Sequence, residues 1–132
     1  MNRLFSVFFI ICCIYPVRNA DAVDVEADVL FARKIQPLFK VKCFTCHGDD
    51  PKKLKGDFDM RTRDGLLKGG ESEEASLVPG RALDSSLYLA VTRDHEDDWA
   101  AMPPKENDKL TSEQIRHIKQ WINAGRLDLL IT

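Results

Sequence analysis

The run Cys43-Phe44-Thr45-Cys46-His47 sets two thiols three positions apart and puts an imidazole directly after the second. This is the C-x-x-C-H spacing, at which both sulfurs reach the two vinyl groups on one edge of a haem as thioethers while the imidazole takes the iron. The macrocycle is rigid, so moving either thiol or the imidazole by one position breaks the arrangement. Three other uses of the pair compete. A plain disulfide would need only an oxidising compartment. A redox dithiol would need the pair to open a helix inside a βαβ pattern, and the flanking residues carry no strand signal. Zinc would need four ligands, and Cys12 and Cys13 offer no second pair once the amino-terminal segment is set aside. The expected cofactor is one covalently bound haem c, held by Cys43, Cys46 and His47.

An iron held by one histidine needs its opposite side explained, because the occupant decides between electron transfer and ligand chemistry. Beyond the motif the candidates are Met60, Met102, His95 and His117. Met102 opens Met-Pro-Pro, where two prolines restrict the backbone of a loop presenting a soft thioether. It lies 55 residues past His47, far enough for the chain to return on the other face. Met60 sits in the alternation Asp57 to Arg61, which reads as a short strand with Met60 as core filler. His117 falls inside the last helix as an ordinary half-buried histidine. Met102 is therefore the predicted sixth ligand, and His95, in the acidic run Asp94 to Asp98, is the rival that would make a bis-histidine site.

Covalent attachment of haem calls for export, and the amino terminus supplies a signal. Arg3 precedes a twelve-residue run, Leu4 to Tyr15, with Ser6 as its one polar member and Pro16 as its stop. A membrane span needs about 20 apolar residues, so this run has signal-peptide length. Ala20-Asp21-Ala22 offers a cleavage site, giving residues 1–22 as signal peptide and 23–132 as one domain. An uncleaved anchor, or lipidation at Cys12 or Cys13, are the alternatives. Among 132 residues, 19 are Lys or Arg and 21 are Asp or Glu; losing Arg3, Arg18 and Asp21 leaves 17 against 20. No general nucleic-acid binder is expected from that balance. The location is periplasmic or otherwise exported, with membrane association only if the first segment is retained.

Several elements must position the motif. Val25 to Lys42 has rough helical spacing interrupted by Pro37. A weak helix near Thr62 to Lys68 ends at Gly69-Gly70, and Pro79-Gly80 marks a turn. Asp84 or Ser85 can cap a short helix carrying Leu87 to Val91. Thr111 and Gln114 form a capping box for a helix with the stripe Ile115, Ile118, Trp121, Ile122 and a C-cap at Gly125. Trp121 is expected to pack on the first helix near Ile35 or Phe39. Trp99 and Tyr88 are candidate hydrogen-bond donors to the haem propionates, with Arg81 or Lys105 as ion partners. The expected class is all-α: a small helical domain wrapped around one haem, with at most a short strand pair.

The ordered set Ile35-x-Pro37-Leu38, Cys43 to Gly48, Leu66-Leu67-Lys68-Gly69-Gly70, Pro79-Gly80, Ser86-x-Tyr88, Met102-Pro103-Pro104-Lys105, Leu110-x-x-Glu113 and Trp121-Ile122-x-x-Gly125 resembles the class I c-type cytochromes. Among them it is similar to the planctomycete-type cytochrome c domain, over roughly Phe31 to Leu127. The resemblance implies a cytochrome c-like fold with His47 and Met102 as axial ligands. That domain usually heads a longer polypeptide, so the chain is either free-standing or a fragment.

The function expected is electron transfer without bond chemistry by the protein, so not an enzyme, with redox proteins as donor and acceptor. Docking is expected where the haem edge meets solvent, flanked by Lys52, Lys53 and Lys55 on one side and the acidic run 94–98 on the other. The alternatives are a haem sensor or haem enzyme with an open or labile sixth position, and the haem domain of a larger oxidoreductase.

Overall fold

The helical spacing between Val25 and Lys42 is realised as one long stretch whose pitch changes in the middle. In the computed structural model, which describes residues 20–95 and 99–127 with side chains from Val25 onward, α1 (Ala20–Leu30) runs into a π-helical turn (Phe31–Ile35) and then α2 (Gln36–Lys42). In the wide turn the N–H of Gln36 reaches the carbonyl of Phe31, five residues back. The change falls just before Pro37, whose ring would crowd the carbonyl of Arg33 in a regular helix. In the first turn of α2, Pro37 needs no N–H of its own. The predicted interruption is thus a change of pitch ahead of the proline. The signal-peptide reading of residues 1–22 lies outside the described residues, apart from the helix start at Ala20. Among the described residues no helix is long and apolar enough to cross a membrane.

α2 hands over to the single turn α3 (Phe44–His47) without a break: Cys43 donates to Phe39 at 2.9 Å, and His47 donates back to Cys43 at 2.9 Å. Residues three and four apart share one side of a helical turn, so this coil gathers Cys43, Cys46 and His47 onto one face.

The expected strand at Asp57 to Arg61 is not formed, and no strand occurs among the described residues. A 3-10 turn (Lys55–Asp57) leads into the segment, and the N–H of Met60 goes to the carbonyl of His47 at 2.8 Å. The alternation of side chains is real, but the backbone bonds to the motif instead of to a ladder. Next comes α4 (Arg63–Lys68), capped by Thr62, whose hydroxyl accepts from the Gly65 N–H at 3.0 Å, and ended by Gly69 at φ 81°. Gly70 lets two loops touch, since a Cβ there would stand 2.3 Å from the carbonyl oxygen of Gly56.

Ser85 does precede α5 (Ser86–Thr92), yet its hydroxyl does not cap it. It accepts from the Val78 N–H at 2.9 Å and donates to the Arg81 carbonyl at 3.0 Å, bracing the turn at Pro79-Gly80. The final helix, α6 (Ser112–Ala124), has its full capping box: Gln114 N–H to the Thr111 hydroxyl at 3.2 Å, Thr111 N–H to the Gln114 side chain at 2.8 Å. Gly125 closes it in the left-handed region.

Ile118, Trp121 and Ile122 form the buried stripe of α6. Trp121 stacks on Phe31, centroids 5.3 Å apart, and meets Phe39 edge-on at 5.8 Å. The expected contact with Phe39 is present, and Phe31 of the π turn joins it. Around this cluster Ile35, Leu38, Leu66, Leu77, Leu87 and Val91 complete a core drawn from the α1–α2 stretch, α4, α5 and α6.

Candidate functional site

A cavity of about 280 Å³ opens in this core. The α3 turn lends it Cys43, Cys46 and His47; α2 lends Leu38 and Phe39; α5 lends Leu87, Ala90 and Val91; the loop before α6 lends Trp99, Met102 and Pro103. The lining is mostly apolar, with Lys42, Lys55, Glu71 and Ser72 among its few charged or polar members. Both cysteines are free thiols and half-buried.

His47 is oriented from behind. Its Nδ1 lies 3.1 Å from the carbonyl oxygen of Lys55. A carbonyl only accepts, so the ring proton sits on Nδ1 and Nε2 keeps its lone pair for a metal. Burial pushes the imidazole pKa below its ordinary value, against the opposing pull of backbone hydrogen bonds at Lys55 and Phe58. The ring is therefore neutral at neutral pH, as a ligand must be. Phe58 packs at 5.3 Å, tilted by 57°, and fixes the ring plane.

The Cys43 thiol is pushed up to about 12, first by burial and then by the negative charges of Asp108 and Cys46, with Lys42 pulling the other way. A redox dithiol needs its attacking thiol made acidic, and zinc needs thiolates, so this environment disfavours both. A thioether carries no proton and no charge, and it is at home in the same apolar wall. Two sulfurs and an oriented imidazole on one helical turn, facing apolar side chains, fit an attached haem.

Of the four ligand candidates outside the motif, two reach the cavity. Met102 and Met60 both line it, and Met60 is buried to 3% exposure within the core, the filler role expected of it. His95 is exposed and does not line the cavity. His117 lies in a separate groove between α2 and α6, 3.8 Å from Glu113. The backbone of Met102 is tied to α5, its N–H donating to the Ala90 carbonyl at 3.0 Å.

Of the four residues suggested for the propionates, only Trp99 lines the cavity. Tyr88 is buried elsewhere, with the Lys119 ammonium 5.8 Å from its ring centre. Arg81 is paired with Asp84 at 2.5 Å, and Lys105 is exposed away from the lining. In their place the structure brings Lys42, which bonds both the carboxylate and the carbonyl of Asp108. Sequence reasoning missed the Lys55 carbonyl and Phe58. The first has no side-chain signature; for the second, the alternation of Asp57 to Arg61 was the signal, taken for a strand.

Residues 43–106 match the model of the planctomycete cytochrome C family. The resemblance read from the motifs is thus shown over that segment, which runs from the first cysteine past the methionine loop. The chain is also similar to the hydrazine synthase subunit alpha of Kuenenia stuttgartiensis, at 27% identity over 127 residues. That alignment covers 78% of this chain and 16% of the subunit, so the chain spans about a sixth of the length of this curated relative. No solved structure matches.

Proposed function

We propose that this chain is a monohaem c-type cytochrome that carries electrons outside the cytoplasm, with His47 and Met102 as axial ligands. Haem binding of the cytochrome c kind follows from the family match. The finer reading rests on one observation above all: Cys43, Cys46, His47 and Met102, separated by up to 59 positions in sequence, line one cavity. A haem bound there would supply a one-electron iron couple. The thiols of Cys43 and Cys46 would fix it covalently, and the Lys55 carbonyl would hold the orientation of the His47 imidazole that binds it. The thioether of Met102 favours the reduced metal, and the apolar walls disfavour the extra positive charge of the oxidised one. In this reading the lining residues bind and tune the group and do not themselves catalyse. Donor and acceptor are redox proteins that meet the exposed edge of the group.

The test is an absorption spectrum and intact mass of the exported protein, alone and as Met102→Ala. The wild type should carry one covalent haem and show the weak far-red band of sulfur bound to ferric iron. Met102→Ala should lose that band, bind carbon monoxide readily and drop in potential by on the order of 100 mV, within the roughly 0.8 V that axial ligands command. A wild type without the band that takes up carbon monoxide freely would overturn the carrier reading in favour of an open sixth position. A second reading has support of its own: the similar segment of the relative lies within a much longer synthase subunit. In that reading the haem domain serves a larger oxidoreductase, and the distinguishing result is stable co-purification with a catalytic chain.

A further inference from the structure

α5 ends in an unusual way. Arg93 follows its last turn at φ 62°, the left-handed conformation in which a helix normally places glycine. A long cation has been kept where the backbone asks for no side chain, and that side chain is only 15% exposed. Its destination explains it. One terminal nitrogen donates to the Glu106 carboxylate at 2.6 Å; the other donates to the carbonyl of Pro103 and, at 3.2 Å, to that of Lys105. Three bonds from one planar group land within four consecutive residues, starting at the residue after Met102. Its Nε is buried without a partner, a cost accepted for the sake of the grip.

The segment Pro104 to Glu106 is exposed, while Pro103 ahead of it is buried. Among the hydrogen bonds of the described residues, the Met102 bond to Ala90 and those of the Arg93 guanidinium tie this loop to the end of α5. We propose that Arg93 is a positioning residue: its fork pins the loop after Met102 and so keeps the Met102 thioether in the lining of the cavity. The proposal rests on the reading of Met102 as sixth ligand. Arginine suits the task because its rigid fork spans two carbonyls and a carboxylate together, which a lysine point charge does not.

The experiment is a titration of the ferric, haem-loaded protein with imidazole, which competes with the thioether, followed by the far-red sulfur band. Arg93→Gly keeps the left-handed cap and removes the fork; Arg93→Lys keeps the charge and removes the geometry. Hydrogen bonds from a charged group are strong enough that Arg93→Gly should bind imidazole about tenfold or more tighter than wild type, with Arg93→Lys between the two. Thr111→Ala, which weakens the α6 cap without touching the loop, should match wild type. If Arg93→Gly fails to load haem, Arg93→Lys decides alone. Wild-type affinity in the Arg93 variants, with the band present throughout, overturns the clamp and leaves Met102 ligation standing. An equal gain in Thr111→Ala also overturns it, since general loosening would then suffice. A wild type without the band overturns the ligation reading and takes the clamp with it.

Discussion

The two sides of the cavity are held by different kinds of structure. The side bearing Cys43, Cys46 and His47 is a continuation of α2, which is packed against α6 through Phe31, Phe39 and Trp121. The side bearing Met102 is a proline-rich loop with a single backbone bond to Ala90 and the grip of Arg93. The first is fixed by buried area; the second adds a few directional bonds to the packing of Met102 and the buried Pro103 against the core. Burial is collective and fails only when the fold fails, whereas a tether fails at one residue. If a haem is attached as proposed, His47 should stay in place as long as the domain is folded, and Met102 should be the position where the protein is adjustable.

This contrast predicts that damage to the packed side reads out as stability, with ligation spared. The largest effect is expected for Trp121→Ala, which empties the contact of α6 with Phe31 and Phe39. It should cost about 3–5 kcal/mol in urea unfolding of the haem protein, while the folded fraction keeps its sulfur band. Loss of the band at unchanged stability would break the distinction between the two sides. A smaller effect should follow Thr111→Ala, which removes one half of the capping box. About 1 kcal/mol is expected, measurable as a lower urea midpoint.

The smallest effect sharpens the comparison at the surface. The Arg61 guanidinium beside Asp59, at 2.7 and 2.9 Å, holds that carboxyl below the ordinary aspartate range. A carboxyl depressed in the folded state contributes stability that is present above its unfolded value of about 3.9 and is lost as pH falls below it. Arg61→Gln should change the urea midpoint little at pH 7, since exposed ion pairs contribute little. On going from neutral pH to about 3 the wild type should lose more stability than the variant. Equal losses would show that the pair has no part in acid sensitivity.

Much of the site was legible because attachment chemistry demands consecutive residues. Two sulfurs and an imidazole must reach one rigid group, so their spacing is written in five letters, and helical coiling alone brings them together. The place of Met102 in the cavity lining was anticipated for a different reason, the stiffness of Met-Pro-Pro. The helix ends at Thr111 and Gly125 were likewise local: a hydroxyl and a glycine act on backbone within a turn of themselves. Where local alternation was read without a partner, at Asp57 to Arg61, it misled, because a strand needs a neighbour and this segment bonds to His47 instead. Ser85 shows the same limit, since its place was right while its hydroxyl serves a turn and not the helix.

The sequence by itself determined the helical class, the C-x-x-C-H turn and the caps of the last helix, all of which depend on groups within about one helical turn of each other. Only the tertiary structure decided which carbonyl orients His47, that Met102 and not His95 comes to the cavity, and that Arg93 grips the loop. The reason is physical: those choices depend on where distant backbone and side chains meet after the core has closed. A carbonyl that accepts a histidine proton looks like every other carbonyl until the chain has folded around it.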